Sequence, residues 1–162
     1  RNVDLTYVVM DNRVYGMTKG QASPTTEPDW DNALTPGGSG ISPFRPLVIA
    51  LAAGANFIAR GFSGDQNGTA KLLKEAIEHP GFSFVQILSP CVTFRPDQKE
   101  WKDDVHDATV DPTDDLGRAA RRLMTDDGFN VGVLYRGERE AFQPPIGNAS
   151  ATVADLEGKF AL

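Results

Sequence analysis

The sequence has few of the residues that mark several common classes of protein. One cysteine and two histidines occur in 162 residues, so an internal disulfide is excluded and a zinc site built from several such ligands is not expected. A single cysteine is typical of a reducing compartment, and we expect a cytoplasmic protein. No apolar run approaches the roughly 18 residues that a membrane-spanning helix needs, and no secretory signal is evident. Membrane association is therefore not expected.

Positive charge is also scarce. The formal net charge is −6 at pH 7, and no cluster of Lys and Arg with interleaved aromatic residues occurs, which argues against nucleic acid as a partner. The chain is 40 % hydrophobic, enough for one ordinary core, and has no internal repeat. We expect one domain over residues 1–136. For residues 137–162 the sequence predicts an extended tail. Two alternatives stay open for this tail: it wraps a partner subunit, or it is disordered.

The order of apolar patterns along the chain predicts an α/β fold. The predicted elements are strands at residues 3–10, 57–62, 82–88 and 129–136, and helices at residues 43–54, 69–79 and from an entry at 111–114 to Gly128. Strands alternating with helices in this way are typical of an open parallel sheet with crossover helices on both faces. Such a sheet brings the carboxyl ends of its strands to one edge, where ligands bind.

Several local features of these elements are predicted as well. Ser42 and Pro43 read as the N-cap and first residue of the first helix, and Ile77 is expected on the inner stripe of the second. The charged segment from Arg95 to Asp111 predicts a solvated connection. His106 within it is not expected to bind a metal, because no second His or Cys lies near it in the sequence.

Polar groups follow the first strand directly, in the order Asp11, Asn12, Arg13 and Val14. Magnesium prefers oxygen ligands in an octahedron, usually a few protein oxygens together with substrate phosphates. The side-chain carbonyl of Asn12 and the main-chain carbonyl of Val14 are candidates for two of them. An ordinary turn is the alternative, since Asn and Asp are common in turns.

Two longer strings of residues resemble one enzyme family. The first is Asp-Asn-Arg-Val-Tyr-Gly-Met-Thr-Lys-Gly-Gln at residues 11–21, and the second is Ser-Pro-Cys-Val-Thr-Phe at residues 89–94. Both are similar to the β subunits of 2-oxoacid:ferredoxin oxidoreductases, most of all the 2-oxoglutarate-acting group, and the resemblance is close over residues 1–94. These enzymes oxidatively decarboxylate 2-oxo acids to acyl-CoA with thiamine diphosphate. The resemblance implies a partial thiamine-diphosphate-binding fold.

The resemblance also implies roles for individual residues. Asn12 and Val14 would ligate Mg²⁺, and Lys19 would recognise the carboxylate of the substrate. Cys91 would be one thiolate ligand of a 4Fe–4S cluster. The residues that would follow the diphosphate towards the reactive ring are Tyr15, Gly16, Met17 and Thr18.

Partners follow from the same resemblance: an α subunit of the same enzyme, ferredoxin, coenzyme A and a 2-oxo acid. The Gly-Asp-Gly motif and the further cysteines of the family do not occur in this sequence. We therefore expect an N-terminally truncated subunit that is inactive alone. Three alternatives stay open: a pyruvate-acting member, a non-oxidative decarboxylase that needs no cluster, and a non-catalytic flavodoxin-like binding module.

Overall fold

A computed structural model describes residues 2–107 and 112–144, together with Gly158. The elements are β1 (Leu5–Asp11), α1 (Pro46–Ala52), β2 (Phe57–Phe62), α2 (Gln66–Glu78), β3 (Phe82–Leu88), a 3₁₀ turn (Pro96–Glu100), α3 (Trp101–Asp104), β4 (His106–Asp107), α4 (Leu116–Thr125) and β5 (Asn130–Arg136). The strands form one sheet in the order β1-β3-β2-β5-β4. The α/β fold class predicted from the sequence is confirmed.

The sheet is parallel on one side and mixed on the other. β1, β3 and β2 run parallel, as expected for strands joined by crossover helices. β5 pairs with β2 in the antiparallel sense, with an irregularity between Ile58 and Ala59, and β4 runs parallel to β5. Because β4 and β5 run parallel to each other, the reversal relative to the first three strands occurs before β4, in residues 89–105. The sequence led us to expect a parallel sheet, whereas the observed sheet is mixed.

Helices cover both faces of the sheet, as predicted. On one face α1 and α4 pack over the sheet and bury Leu47, Leu51, Ile58, Ala119 and Leu123 in one cluster. On the opposite face α2 packs over the sheet, and the buried cluster there is formed by Phe57, Ala59, Ala76, Val85 and Ile87. All residues of β2 are buried as a result, which explains why this strand reads as a continuous run in the sequence rather than an alternating one.

The predicted helix features are wrong in detail: α2 begins at Gln66 rather than at residue 69, and α4 ends at Thr125, before Gly128. α1 begins at Pro46 with Arg45 as its N-cap, not at Pro43. A helix that started at Pro43 would place Pro46 at a position whose N–H must bond back to Ser42, and proline has no N–H. In α2, Ile77 does not lie on the inner stripe: its side chain is 68 % exposed, whereas Ala76 is fully buried.

The segment expected to be a solvated connection is instead folded over residues 95–107. It forms the 3₁₀ turn, α3 and β4, and three of its side chains are buried: Arg95, Gln98 and Trp101. Trp101 packs with Phe62 and Leu88 in a third apolar cluster. The charged residues around these three face solvent. Their number makes the whole segment look solvated in the sequence, although three of its positions are buried. Asp111 lies outside the described residues.

β1 forms one edge of the sheet, and its outer side pairs with no strand among residues 2–107 and 112–144. Apolar side chains on it are exposed, namely Leu5, Tyr7, Val8 and Met10.

No helix in the described part of the chain is both long and apolar enough to span a membrane. The first residues of the predicted tail lie against the body, where Phe142 N donates to Asn2 O; residues 145–157 and 159–162 lie outside the described part.

Candidate functional site

The loop that follows β1 lies at the carboxyl edge of the sheet and closes on itself. Tyr15 N donates to Gln21 O at 2.8 Å, and Gly20 N returns a bond to Tyr15 O at 3.1 Å. Lys19 has a φ of 68°, in the left-handed region that tight turns use. The sequence predicted this position for the loop, and the bonds show that it is a compact turn.

Asn12 and Val14 lie together in one Asx turn. Asn12 Oδ1 accepts a hydrogen bond from Val14 N at 3.1 Å, which leaves the second lone pair of that oxygen for another partner. The Val14 side chain is buried, so the backbone at this point is fixed. An amide oxygen and a main-chain carbonyl two residues apart are donors of the type that Mg²⁺ prefers, and the pair fits such an ion by its chemistry.

These two donors do not complete a metal site alone. No group of three or more His, Cys, Asp or Glu side chains that could hold a metal ion occurs in the part of the chain that the structure describes. Mg²⁺ requires six ligands. The remaining ones would therefore have to come from a bound phosphate, from water or from protein outside these residues.

Asp11 anchors the loop to the sheet. Its carboxylate accepts hydrogen bonds from Arg13 N at 3.0 Å, from Thr25 Oγ1 at 2.7 Å and from Gln86 Nε2 at 2.7 Å. The side chain is buried, and three donors satisfy it without a direct counter-ion. The loop is thereby held at its start by β3, the neighbouring strand.

Behind Asp11 the polar network continues into β2. Gln86 Oε1 accepts from Arg60 Nε at 3.0 Å, and Arg60 also forms an ion pair with Asp126 at 3.0 Å. Burial lowers the pKa of Arg60, and the Asp126 carboxylate opposes that shift. Sequence reasoning missed this network, since Arg60 stands alone in an apolar strand; a charged residue in such a run is the signal that could have found it.

A second ionic cluster holds the other side of the loop. Glu27 bonds Arg13 at 2.8 Å and Arg95 at 2.9 Å, and Arg95 also pairs with Asp97 at 2.7 Å. Burial alone would raise the pKa of Glu27, but the hydrogen bonds from Arg13 and Arg95 lower it overall. Arg95 also stacks on Trp30, 4.5 Å from the ring centre. Trp30 is therefore attached to the domain.

Cys91 lies directly beside the loop after β1. Its thiol is free and half-buried, and a Cβ added at Gly16 would lie 3.4 Å from Sγ. Phe94 also packs against Gly16 and Gly20. The absence of a side chain at Gly16 therefore allows the loop backbone to approach the thiol. The structure brings together two predicted site residues that are far apart in the sequence.

The tip of the loop is open to solvent. Met17 is fully exposed, and Tyr15 is half exposed. Thr18 Oγ1 donates to Tyr15 O at 3.1 Å, so the threonine stabilises the turn, while the Lys19 side chain is exposed. The backbone of this part of the site is thus fixed, and its side chains point away from the described domain.

Comparisons with known proteins agree with this fold. A family model described as "Thiamine pyrophosphate enzyme, C-terminal TPP binding domain" matches residues 1–87. A 2-oxoacid:ferredoxin oxidoreductase subunit beta from Saccharolobus solfataricus is 33 % identical over 154 residues, covering 85 % of this chain and 50 % of the relative. A 2-oxoglutarate oxidoreductase subunit KorB from Mycobacterium tuberculosis is 43 % identical over 94 residues, covering 58 % of this chain and 25 % of the relative.

A solved structure is similar as well: a 2-oxoglutarate:ferredoxin oxidoreductase from Magnetococcus marinus with 2-oxoglutarate, coenzyme A and succinyl-CoA bound. It has a TM-score of 0.77 at 38 % identity, over 86 % of this chain and 50 % of that chain. The chain thus spans about half the length of relatives that it matches over most of its own length. It belongs to the family of thiamine pyrophosphate enzymes, through their C-terminal TPP-binding domain, and is similar to the β subunits of 2-oxoacid:ferredoxin oxidoreductases.

Proposed function

We propose that this chain supplies part of the thiamine-diphosphate site of an enzyme that oxidatively decarboxylates a 2-oxo acid to acyl-CoA. The observation that carries the proposal is the juxtaposition of the Asn12–Val14 turn and Cys91 at the carboxyl edge of one sheet. A non-oxidative decarboxylase would not need a cluster ligand at this position, and a simple binding module would need neither a magnesium ligand nor a cluster ligand.

In this proposal Asn12 and Val14 would hold Mg²⁺ through the amide oxygen and the main-chain carbonyl, and the diphosphate would bind through that ion. When bound, thiamine diphosphate supplies the carbanion chemistry that decarboxylation of a 2-oxo acid requires. Tyr15 and Gly16 would contact the cofactor, and the Gly16 backbone could approach it closely because glycine has no side chain. Met17 and Thr18 would contact the cofactor nearer to its reactive ring.

Lys19 is proposed to recognise the carboxylate of the 2-oxo acid. Its side chain is exposed at the end of the turn, and its backbone is fixed there because Lys19 N donates to Gly16 O at 3.1 Å. A flexible ammonium on a fixed backbone meets an anion as a point charge. 2-Oxoglutarate is the proposed substrate because it and coenzyme A are bound in the similar Magnetococcus enzyme; pyruvate is the alternative.

Cys91 is proposed as one ligand of a 4Fe–4S cluster, which would accept electrons and pass them to ferredoxin. Cluster irons bind thiolates, usually four, and this chain has one cysteine. The half-buried position beside Gly16 would place the cluster next to the cofactor. The other thiolates would come from the part of the relatives' length that this chain does not cover.

A partner α subunit is proposed to cover the open side of the loop. The exposed apolar residues around it support a protein contact there, namely Tyr15, Met17, Val92 and Phe94. Several apolar side chains exposed side by side are typical of an interaction surface.

The test is an assay of the full-length subunit co-expressed with its α subunit. Viologen reduction is measured with 2-oxoglutarate and with pyruvate, each with and without coenzyme A and thiamine diphosphate. Reduction with either acid that needs both additions is the expected result, and the faster acid identifies the substrate. Absence of reduction with both acids would reject the proposed activity in favour of a binding module.

A further inference from the structure

Gln98 joins the two loops that carry the proposed ligands. Its Nε2 donates to Asn12 O at 2.7 Å, and its Oε1 accepts from Cys91 N at 2.7 Å. The side chain is 1 % exposed. One buried amide group thus bonds directly to the main chain of the proposed magnesium ligand and to that of the proposed cluster ligand.

The backbone of Gln98 is itself fixed relative to Cys91. Gln98 N donates to Arg95 O at 3.0 Å, and Arg95 N donates to Cys91 O at 2.8 Å. The ion pairs of Arg95 with Glu27 and Asp97 hold this turn in place. A movement of the Asn12 loop would therefore have to break the Gln98 bond or carry Gln98, and with it Cys91, along.

The chemistry of the position is specific to an amide side chain. The Asn12 carbonyl needs a donor and the Cys91 N–H needs an acceptor, and only Asn and Gln present both on one planar group of this kind. An unsatisfied buried carbonyl or N–H is costly. The pair of bonds therefore fixes the spacing of the two loops.

We propose that Gln98 is a positioning residue that couples the magnesium–diphosphate site to the cluster site. This proposal rests on the proposed function, since it takes Asn12 and Cys91 as ligands. Gln98 contacts neither group: it acts through the main chain of the two ligand residues. Filling the Asn12 site then stabilises the loop of Cys91, and the reverse holds by the reciprocity of coupled sites.

Variants of the full-length subunit, assembled with its partner, separate the two bonds. Gln98→Glu keeps an acceptor for Cys91 N but has no donor for Asn12 O, whereas Gln98→Met has the same length and makes neither bond. Gln98→Glu is expected to weaken thiamine-diphosphate binding at fixed Mg²⁺ about tenfold, with iron and sulfide content unchanged. Gln98→Met is expected to lower both. Gln66→Glu makes the same charge change at an exposed residue of α2 and should alter neither.

Hydrogen–deuterium exchange of the wild-type protein tests the coupling without a substitution. The Cys91 N–H is held by Gln98, so its exchange reports how firmly that bond is kept. Addition of Mg²⁺ and thiamine diphosphate is expected to slow exchange of this amide about tenfold, as the Asn12 loop becomes fixed.

The outcomes distinguish the two proposals. If the wild-type protein binds no thiamine diphosphate, the proposed function fails. If it binds the cofactor and the Cys91 amide exchanges at an unchanged rate, the positioning role of Gln98 fails while the function stands. Wild-type affinity in Gln98→Glu, or full iron and full affinity in Gln98→Met, would overturn the role in the same way.

Discussion

Arg60 on β2 and Asp126 after α4 form a buried ion pair directly beneath the loop that carries the proposed magnesium ligands. Arg60 Nη1 lies 3.0 Å from Asp126 Oδ2, and the two side chains are 7 % and 9 % exposed. Arg60 also donates to Gln86, which in turn donates to Asp11 at the start of the loop. The loop is thus attached to the central strand β2 through the polar side chains of Asp11, Gln86 and Arg60.

Asp126→Asn is predicted to destabilise the fold. The change leaves the buried Arg60 guanidinium without a counter-ion, and removal of one partner of a buried pair costs about 3 kcal/mol. The free energy of unfolding in urea measures the effect. Asp103→Asn, at an exposed position of α3, is the matched control and should change stability little. Equal stability of the two variants would show that the ion pair is dispensable.

The pKa values of the two histidines are predicted to lie on opposite sides of the ordinary pKa of histidine. Burial and the nearby Arg136 charge lower the pKa of His79, whereas the hydrogen bond to Asp127 raises the pKa of His106. NMR titration of the ring protons, assigned with His79→Gln and His106→Gln, measures both. Coincident titration would contradict the packing of His79 against Asn56 and Phe57.

These shifts give opposite pH dependences of stability. The contribution of His79 is present above its unfolded pKa and is lost as the pH falls through its lowered folded value. The contribution of His106 is present below its unfolded pKa and is lost as the pH rises through its raised folded value. His106 is exposed, so its contribution is small. His79→Gln should therefore reduce the loss of stability between pH 7 and pH 5, as measured by urea unfolding.

Cys91→Ser in the full-length subunit is predicted to lower iron content and ferredoxin reduction together. A serine hydroxyl is a poor ligand for cluster iron, which binds thiolates. Iron and sulfide per subunit are measured beside the reduction rate, with Thr93→Ala at an exposed neighbouring position as control. A Cys91→Ser protein with full iron and sulfide would make the cysteine an ordinary packed residue.

Lys19→Met is predicted to raise the KM for the 2-oxo acid about tenfold, since it removes the proposed partner of the substrate carboxylate while keeping side-chain length. Affinity for thiamine diphosphate should not change, because the ammonium is not assigned to the cofactor. Lys71→Met on the exposed face of α2 is the control. An unchanged KM would assign Lys19 to the solvated surface.

The strands could be predicted well because their limits are marked in the sequence. β2 and β3 have the expected bounds, since each is a short, mostly apolar run ended by a polar turn. The start of α1 was misplaced because Ser42 and Pro43 have the pattern of a helix entry, while Pro46 makes a continuous helix impossible. The reversed direction of β4 and β5 depends on how residues 89–105 turn the chain after β3, which the pattern of one strand does not contain.

The site could be predicted only in part. Asn12 and Val14 are close in sequence, so their common turn followed from local residues. Gln98 stands among charged residues, and its burial depends on the path that brings the turn after β3 beneath the loop after β1. The contact of Cys91 with Gly16 has the same origin. Tertiary contacts of this kind leave no periodic signal in the sequence.

The most direct test of the account is the affinity of the full-length, assembled protein for thiamine diphosphate, measured with Mg²⁺ and with a chelator. Asn12→Ala is compared with Asn67→Ala, which changes an exposed asparagine of α2. The account predicts Mg²⁺-dependent binding that Asn12→Ala weakens at least about tenfold, since an ion with six ligands loses one, and that Asn67→Ala leaves intact. Unchanged affinity in Asn12→Ala would remove Asn12 from the site and contradict the account.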